Sequence, residues 1–225
     1  MRGSLRIGVW AFVCLCASSV TACKLGQSKK EEADRQKSED AVGIARAKTT
    51  LQTVASLEAT VKSLPASKKG SLKTSPLKGS TDRFGYRNYD VLFLQDLAHP
   101  PSSPTVRILP EGKLGNCQDE VDGHKSNKYV GRTSCDDVTY VIVLRPGTVR
   151  KALLSGADSY TPGAVDADAF VFDLSNGKLL GGGHVSAKTP PSATINPSTA
   201  ESDLETMLGD AVDKALIDEL EVATK

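Results

Sequence analysis

The chain has 225 residues, 39% of them hydrophobic and 24% charged, proportions that exclude wholesale disorder and fit one medium domain with appendages, or at most two small domains. Its 28 Lys and Arg against 27 Asp and Glu give a net charge of +1. That balance offers no electrostatic case for nucleic acid, or for a strongly acidic or basic substrate.

At the N-terminus, Arg2 and Arg6 precede an apolar run from Ile7 to Ala17, followed by Ser18, Ser19 and Val20-Thr21-Ala22-Cys23. The run is shorter than the ~20 residues a membrane-spanning helix needs. Positive start, short apolar centre and small residues at the end read as a cleaved signal peptide over residues 1–22. The sequence Val20-Thr21-Ala22-Cys23 resembles the lipobox of bacterial lipoproteins. In that family the cysteine thiol is alkylated with diacylglycerol, and a dedicated peptidase cuts on its N-terminal side. The resemblance implies that Cys23 is the lipidated first residue, carrying palmitate-type chains, and that Val20, Thr21 and Ala22 are the recognition positions. It also implies a cell-envelope location, with the outer membrane favoured in a Gram-negative cell because Lys24 stands where aspartate favours inner-membrane retention. A plain secretory peptide or a retained apolar anchor are the other readings of the same segment. The resemblance covers residues 1–24 only. Two or three acyl chains hold a protein durably where one does so marginally.

The cysteine count follows the same line. Cys14 and Cys16 leave with the leader and Cys23 is alkylated, which leaves Cys117 and Cys135 as a pair in an oxidising compartment. A disulfide between them is expected, worth about 3 kcal/mol through the unfolded state. Free or metal-bound thiols are the alternative, and no Cys-x-x-Cys spacing supports zinc. The sole tryptophan, Trp10, lies in the leader, so the exported core rests on aliphatic residues, Phe and Tyr.

Residues 23–39 are almost wholly polar and read as a flexible, solvated tether. From 40 to 64, Ile44, Ala47, Leu51, Val54, Leu57, Val61 and Leu64 recur every three or four positions, the pattern of an amphipathic helix that Pro65 stops. Its apolar face is expected to pack on the domain rather than form a short coiled coil. Residues 65–82 form a basic Ser/Lys/Gly/Pro linker. Lys68, Lys69, Lys73 and Lys78 could meet anionic lipid or cell-wall polymer, although such runs are usually just solvated.

The globular part spans 83–225. Strands are expected at Tyr89–Gln95, Thr105–Leu109, Val138–Leu144 and Ala167–Leu174, with the doubly apolar Val138–Leu144 in a central position. Residues 111–136 read as polar turns. Ser175-Asn176-Gly177 predicts a hairpin with a type I′ turn into Lys178–Ala187, where Gly181, Gly182 and Gly183 suggest a bulge or close backbone approach. The last segment reads as a helix opened by a Ser202–Glu205 capping box, with Leu204, Met207, Leu208, Ala211, Val212, Ala215, Leu216 and Leu220 on one face. Aspartate at Leu208 or Leu216 should unfold it. The sum is an α+β fold: a mainly antiparallel sheet with a C-terminal amphipathic helix, preceded by an N-terminal helix and a flexible tether.

No residue earns a catalytic or metal-ligating role. Gly181-Gly182-Gly183-His184 lacks the helix a phosphate loop requires. His99, His124 and His184 have no ligand spacing. Asp119, Glu120, Asp122, Asp136 and Asp137 could be gathered by the disulfide but lack the alternation of a calcium loop. Asp166, Asp168 and Asp173 could supply an acid/base pair, without a recognisable partner. No cofactor is implied. The expected function is a lipid-anchored envelope protein with a non-catalytic binding or structural domain, contacting the membrane through Cys23 and an envelope protein or polymer as partner. The alternative is an extracytoplasmic hydrolase or metal-dependent enzyme with an unfamiliar site.

Overall fold

The computed structural model describes residues 13–67, 88–98, 100, 112–124, 130–155, 159–191 and 198–222, with only the helical backbone given for 13–28 and 220–222. Chain order is helix α1 (Val13–Ser63), strand β1 (Tyr89–Phe93), a 3-10 turn at Leu94–Asp96, helix α2 (Lys113–Val121), a second 3-10 turn at Ser134–Asp137, strands β2 (Tyr140–Arg150), β3 (Leu153–Leu154), β4 (Tyr160–Thr161), β5 (Ala164–Asp173) and β6 (Lys178–Lys188), and helix α3 (Ala200–Val222). Four strands form one sheet in the order β1-β2-β5-β6, and β3 pairs with β4 in a separate ribbon. The fold is α+β with a mainly antiparallel sheet: β2 runs antiparallel to β5 and β5 to β6, while β1 lies parallel to β2. A parallel neighbour needs a crossover, and α2 lies within it.

The central strands dictate the layers. Val141, Ile142, Val143 and Leu144 of β2 are all buried, as are Ala169, Phe170, Val171 and Phe172 of β5. Successive side chains point to opposite faces, so both faces of the sheet need an apolar cover. On one face Tyr89, Val91, Ile142, Leu144, Val165, Ala167 and Val185 meet Leu208, Val212 and Leu216 of α3. On the other, Leu92, Val141, Val143, Phe170 and Phe172 meet Ala47, Leu51, Val54, Leu57 and Val61 of α1, together with Leu114 and Cys117 of α2. The helix at 40–64 therefore belongs to the same core as the sheet. Its apolar positions are those that the periodicity picks out, with Ile44 half-buried.

Several local expectations are corrected. The helix does not begin near residue 40, because α1 is continuous from Val13, so the polar tether is helical rather than coil, with residues 29–39 exposed. Residues 111–136 contain α2, whose buried positions Leu114, Gly115, Cys117 and Glu120 form too thin an apolar stripe to show in the sequence. Buried Asp90 of β1 supplies its start, accepting from the Leu114 N–H at 2.8 Å. The disulfide Cys117–Cys135 is formed, with Cα atoms 5.3 Å apart, and ties α2 to the second 3-10 turn.

The β5–β6 turn is not type I′. Gly177 takes φ +66, but no non-glycine residue among those described has positive φ, so Asn176 does not adopt the conformation a type I′ turn needs. A longer loop forms instead. Gly177 N–H donates to the Asp173 carbonyl at 2.8 Å, and the Asp173 carboxylate accepts the Ser175 N–H at 2.8 Å and its hydroxyl at 2.7 Å. Strand β6 does carry a bulge, but it falls at Leu180, which has no opposite residue, while Gly181, Gly182 and Gly183 pair regularly with β5. Gly182 is the site of close approach, since a Cβ there would lie 2.7 Å from Ser67 Oγ. Helix α3 begins at Ala200, so Ser202 sits inside its first turn rather than at the cap, and the Thr199 hydroxyl donates to Asp203 at 2.9 Å. Strand β2 outruns its expected end and carries Pro146, tolerated because the pairing with β1 stops at Leu144. The proposed strand at 105–109, the linker beyond residue 67, the start of the globular part at 83 and the Leu220 side chain lie outside the described residues.

Leu208 is almost fully buried against the sheet. Leu208→Ala should cost about 2–5 kcal/mol, read as a lower urea midpoint at unchanged slope, while Leu208→Asp should leave no cooperative unfolding transition.

Candidate functional site

Where α1 ends, the apolar cover of its face of the sheet gives way to a row of charged groups. Arg145, Asp168 and His184 occupy paired positions on β2, β5 and β6, so they lie side by side on one face. The Arg145 guanidinium spans two jobs. It donates to the backbone oxygens of Val61 at 2.9 Å, Leu64 at 2.6 Å and Pro65 at 3.0 Å, at and just beyond the C-terminus of α1, where the helix runs out of its own N–H donors. It also meets Asp168 Oδ2 at 2.7 Å and lies over the Phe170 ring at 4.9 Å. A cation at a helix C-terminus is favoured by the helix dipole as well as by these bonds.

Asp168 takes a second strap through its other oxygen, which accepts the Ser67 N–H at 2.9 Å. Burial pushes its carboxyl up, but Arg145, the Ser67 N–H and His184 together outweigh that and hold it below the usual carboxylate range. His184, 35% exposed, has Nε2 at 2.7 Å from Asp166 Oδ1 and Nδ1 at 3.7 Å from Asp168 Oδ1. A carboxylate only accepts, so Nε2 carries the proton toward Asp166.

These are the residues that could have formed an acid/base centre. In the structure Asp168 is engaged by Arg145 and the Ser67 N–H, and His184 lies between the carboxylates of Asp166 and Asp168. Asp173 stands apart in the β5–β6 turn. The hydroxyl and N–H of Ser175 hold its carboxyl below the ordinary range. His124 is exposed just beyond α2, and His99 lies outside the described residues.

The acidic cluster near the disulfide is dispersed rather than convergent. Glu120, 8% exposed, accepts the Ser134 N–H at 2.7 Å and its hydroxyl at 2.9 Å. Asp136 accepts the Thr133 N–H at 2.7 Å, Asp137 pairs with Arg132 at 3.0 Å, and Asp122 accepts from Gln118 at 2.8 Å. Among the described residues no group of three or more His, Cys, Asp or Glu side chains could hold a metal ion. Nor is any described helix long and apolar enough to cross a membrane.

Open clefts lie among the described residues, two of them near the elements above. One of about 460 Å³ lies between α1 and the β5–β6 turn, lined by Arg46, Thr49, Thr50, Thr53, Asp136 and Ser175 among others. The other, about 550 Å³, lies at the start of α3, where Leu154 faces Thr199, Glu201 and Glu205. Neither contains His184 or the aspartates beside it. Arg145 is the residue sequence reasoning missed, and Glu120 was named only as one of an acidic cluster and not as the partner of Ser134. A lone arginine directly after the apolar run of β2 was the available signal for the first. For the role of Glu120 on Ser134 there was no signal beyond its place in that acidic segment.

No family model matches the chain, and no curated protein matches it. Among solved structures, a crystal structure described as a “putative lipoprotein” from Caulobacter crescentus CB15 aligns over 61% of this chain and 89% of that one, with 12% identity and a TM-score of 0.31. A likeness that low assigns neither fold nor function.

The linkage of Asp168 to stability has a definite sign. A carboxylate depressed in the folded state stabilises it above the ordinary value near ~3.9 and loses that contribution as pH falls through the folded value. Asp168→Asn should therefore cost about 1.5–3 kcal/mol near neutrality, the range for hydrogen bonds to charged groups. Urea midpoints of variant and wild type should converge as the pH is taken down toward ~2.

Proposed function

We propose that this chain is a bacterial envelope lipoprotein, held on the membrane by lipid on Cys23, whose exported domain is a binding or structural module rather than an enzyme. The observation that carries the reading is the order of the leader: Arg2 and Arg6, a short apolar run, then Val20-Thr21-Ala22-Cys23. The Cys117–Cys135 disulfide supports it, because such bonds persist in oxidising compartments. Lys24 favours the outer membrane in a Gram-negative cell.

The non-catalytic part of the reading rests on what the polar groups do. Arg145 and Asp168 secure the end of α1, Glu120 secures the Ser134 turn, and Asp90 starts α2. Each is committed to backbone groups, as parts of a scaffold are. The partner is an envelope protein or polymer.

Cells fed labelled palmitate should incorporate it into the wild-type protein and not into Cys23→Ala, which should also leave the membrane fraction. Equal labelling of both proteins would overturn the lipid anchor.

A further inference from the structure

We propose that residues 23–39 are a rigid helical spacer that stands the domain about 25 Å off the lipid surface and fixes which end of it faces outward. The proposal rests on lipidation of Cys23.

Helix α1 runs unbroken from Val13 to Ser63, so the stretch next to the anchor and the stretch buried in the core are one element. An isolated polar helix of this length would be marginal, because nucleation is costly. Here residues 40–63 are already held against the sheet, and the spacer needs only propagation from that docked end. Opposite charges stand four residues apart along it: Lys30 with Asp34, Glu31 with Arg35 in the acid-first order that favours a helix most, and Arg35 with Glu39. The last pair is formed at 3.3 Å. Residues 27–39 contain neither proline nor glycine. Residues 29–39 are all exposed, and the close approach to the domain begins at Glu39, beside Gly131.

The direction in which the helix leaves the domain is also set. Gly43 lies so close to Gly131 that a Cβ there would come within 2.8 Å of the Gly131 oxygen. Asp40 accepts the Gly131 N–H at 2.8 Å, and Arg46 donates to the Gly131 oxygen at 2.7 Å. These bonds straddle the exit point on a single loop and hold the helix to it. At the other end Arg145 grips the carbonyls of Val61 and Leu64. Helix α1 therefore runs along the sheet from the Gly131 end toward the Arg145 end. The far half of β2 continues past Arg145, and β3 follows with Leu153 and Leu154, 62% and 50% exposed. That end lies away from the anchor and is the one presented outward.

The test uses the full lipidated chain in phosphatidylethanolamine–phosphatidylglycerol vesicles. Spin labels on Glu31→Cys and Lys48→Cys, both exposed helix positions, should give a narrow distance distribution centred near ~26 Å, the helical rise over that separation. A fluorophore on Leu153→Cys should be quenched weakly by acceptors at the bilayer surface, and more strongly when residues 30–38 are replaced by Gly and Ser. A broad wild-type distribution, or equal quenching in the two spacers, overturns the rigid spacer. Absence of palmitate from Cys23 overturns the anchor, and the stand-off with it, whatever the spin labels show about the helix.

Discussion

Two central strands that are apolar on both faces govern this architecture. Because β2 and β5 bury every side chain from Val141 to Leu144 and from Ala169 to Phe172, neither face of the sheet can be left to water. At roughly 25 cal/mol per Å² of apolar surface, exposing either face would remove more stability than a domain of this size holds in reserve. The chain meets the demand with α3 from one end and α1 from the other. Helix α1 is consequently a layer of the domain, and its backbone is continuous from the core back to Val13.

The limit of that apolar face is set by Arg145. A guanidinium at the end of a buried strand run is tolerated because its donors find three backbone carbonyls and a carboxylate, a satisfied set in place of an orphaned charge. Asp168 then needs Arg145 as much as Arg145 needs it, and Ser67 and His184 complete the row. This explains why carboxylates that look available for chemistry in the sequence are already engaged. It also explains why β2 is exposed beyond residue 145: its cover ends there.

Much of the fold was legible because its strongest signals are periodic. The spacing of Leu51, Val54, Leu57 and Val61 announced α1, the doubly apolar run of β2 announced a central strand, and Leu204, Leu208, Val212 and Leu216 announced the face of α3. What escaped depends on contacts distant in sequence. Helix α2 starts on the carboxylate of Asp90, 24 residues earlier, and no local pattern reports such a cap. The β5–β6 turn was read from Asn-Gly, but Asp173 captures Ser175 and draws the loop into a different geometry. The polar row was visible only as separate residues, since pairing across three strands is a property of register. The N-terminal segment is the opposite case: its resemblance to a lipobox is entirely local and describes nothing of the domain that follows.

The account turns on α1 being the cover of one face of the sheet and, in the proposed reading, the carrier of the anchor. The direct measurement is cooperative unfolding of two shortened chains, one beginning at residue 40 and one at residue 65. The first retains the docked helix and should unfold in urea with a midpoint close to that of the full-length protein. The second leaves Val141, Val143, Phe170 and Phe172 uncovered and should show no cooperative transition and bind a hydrophobic dye. A chain beginning at residue 65 that unfolded cooperatively at the full-length midpoint would contradict the account.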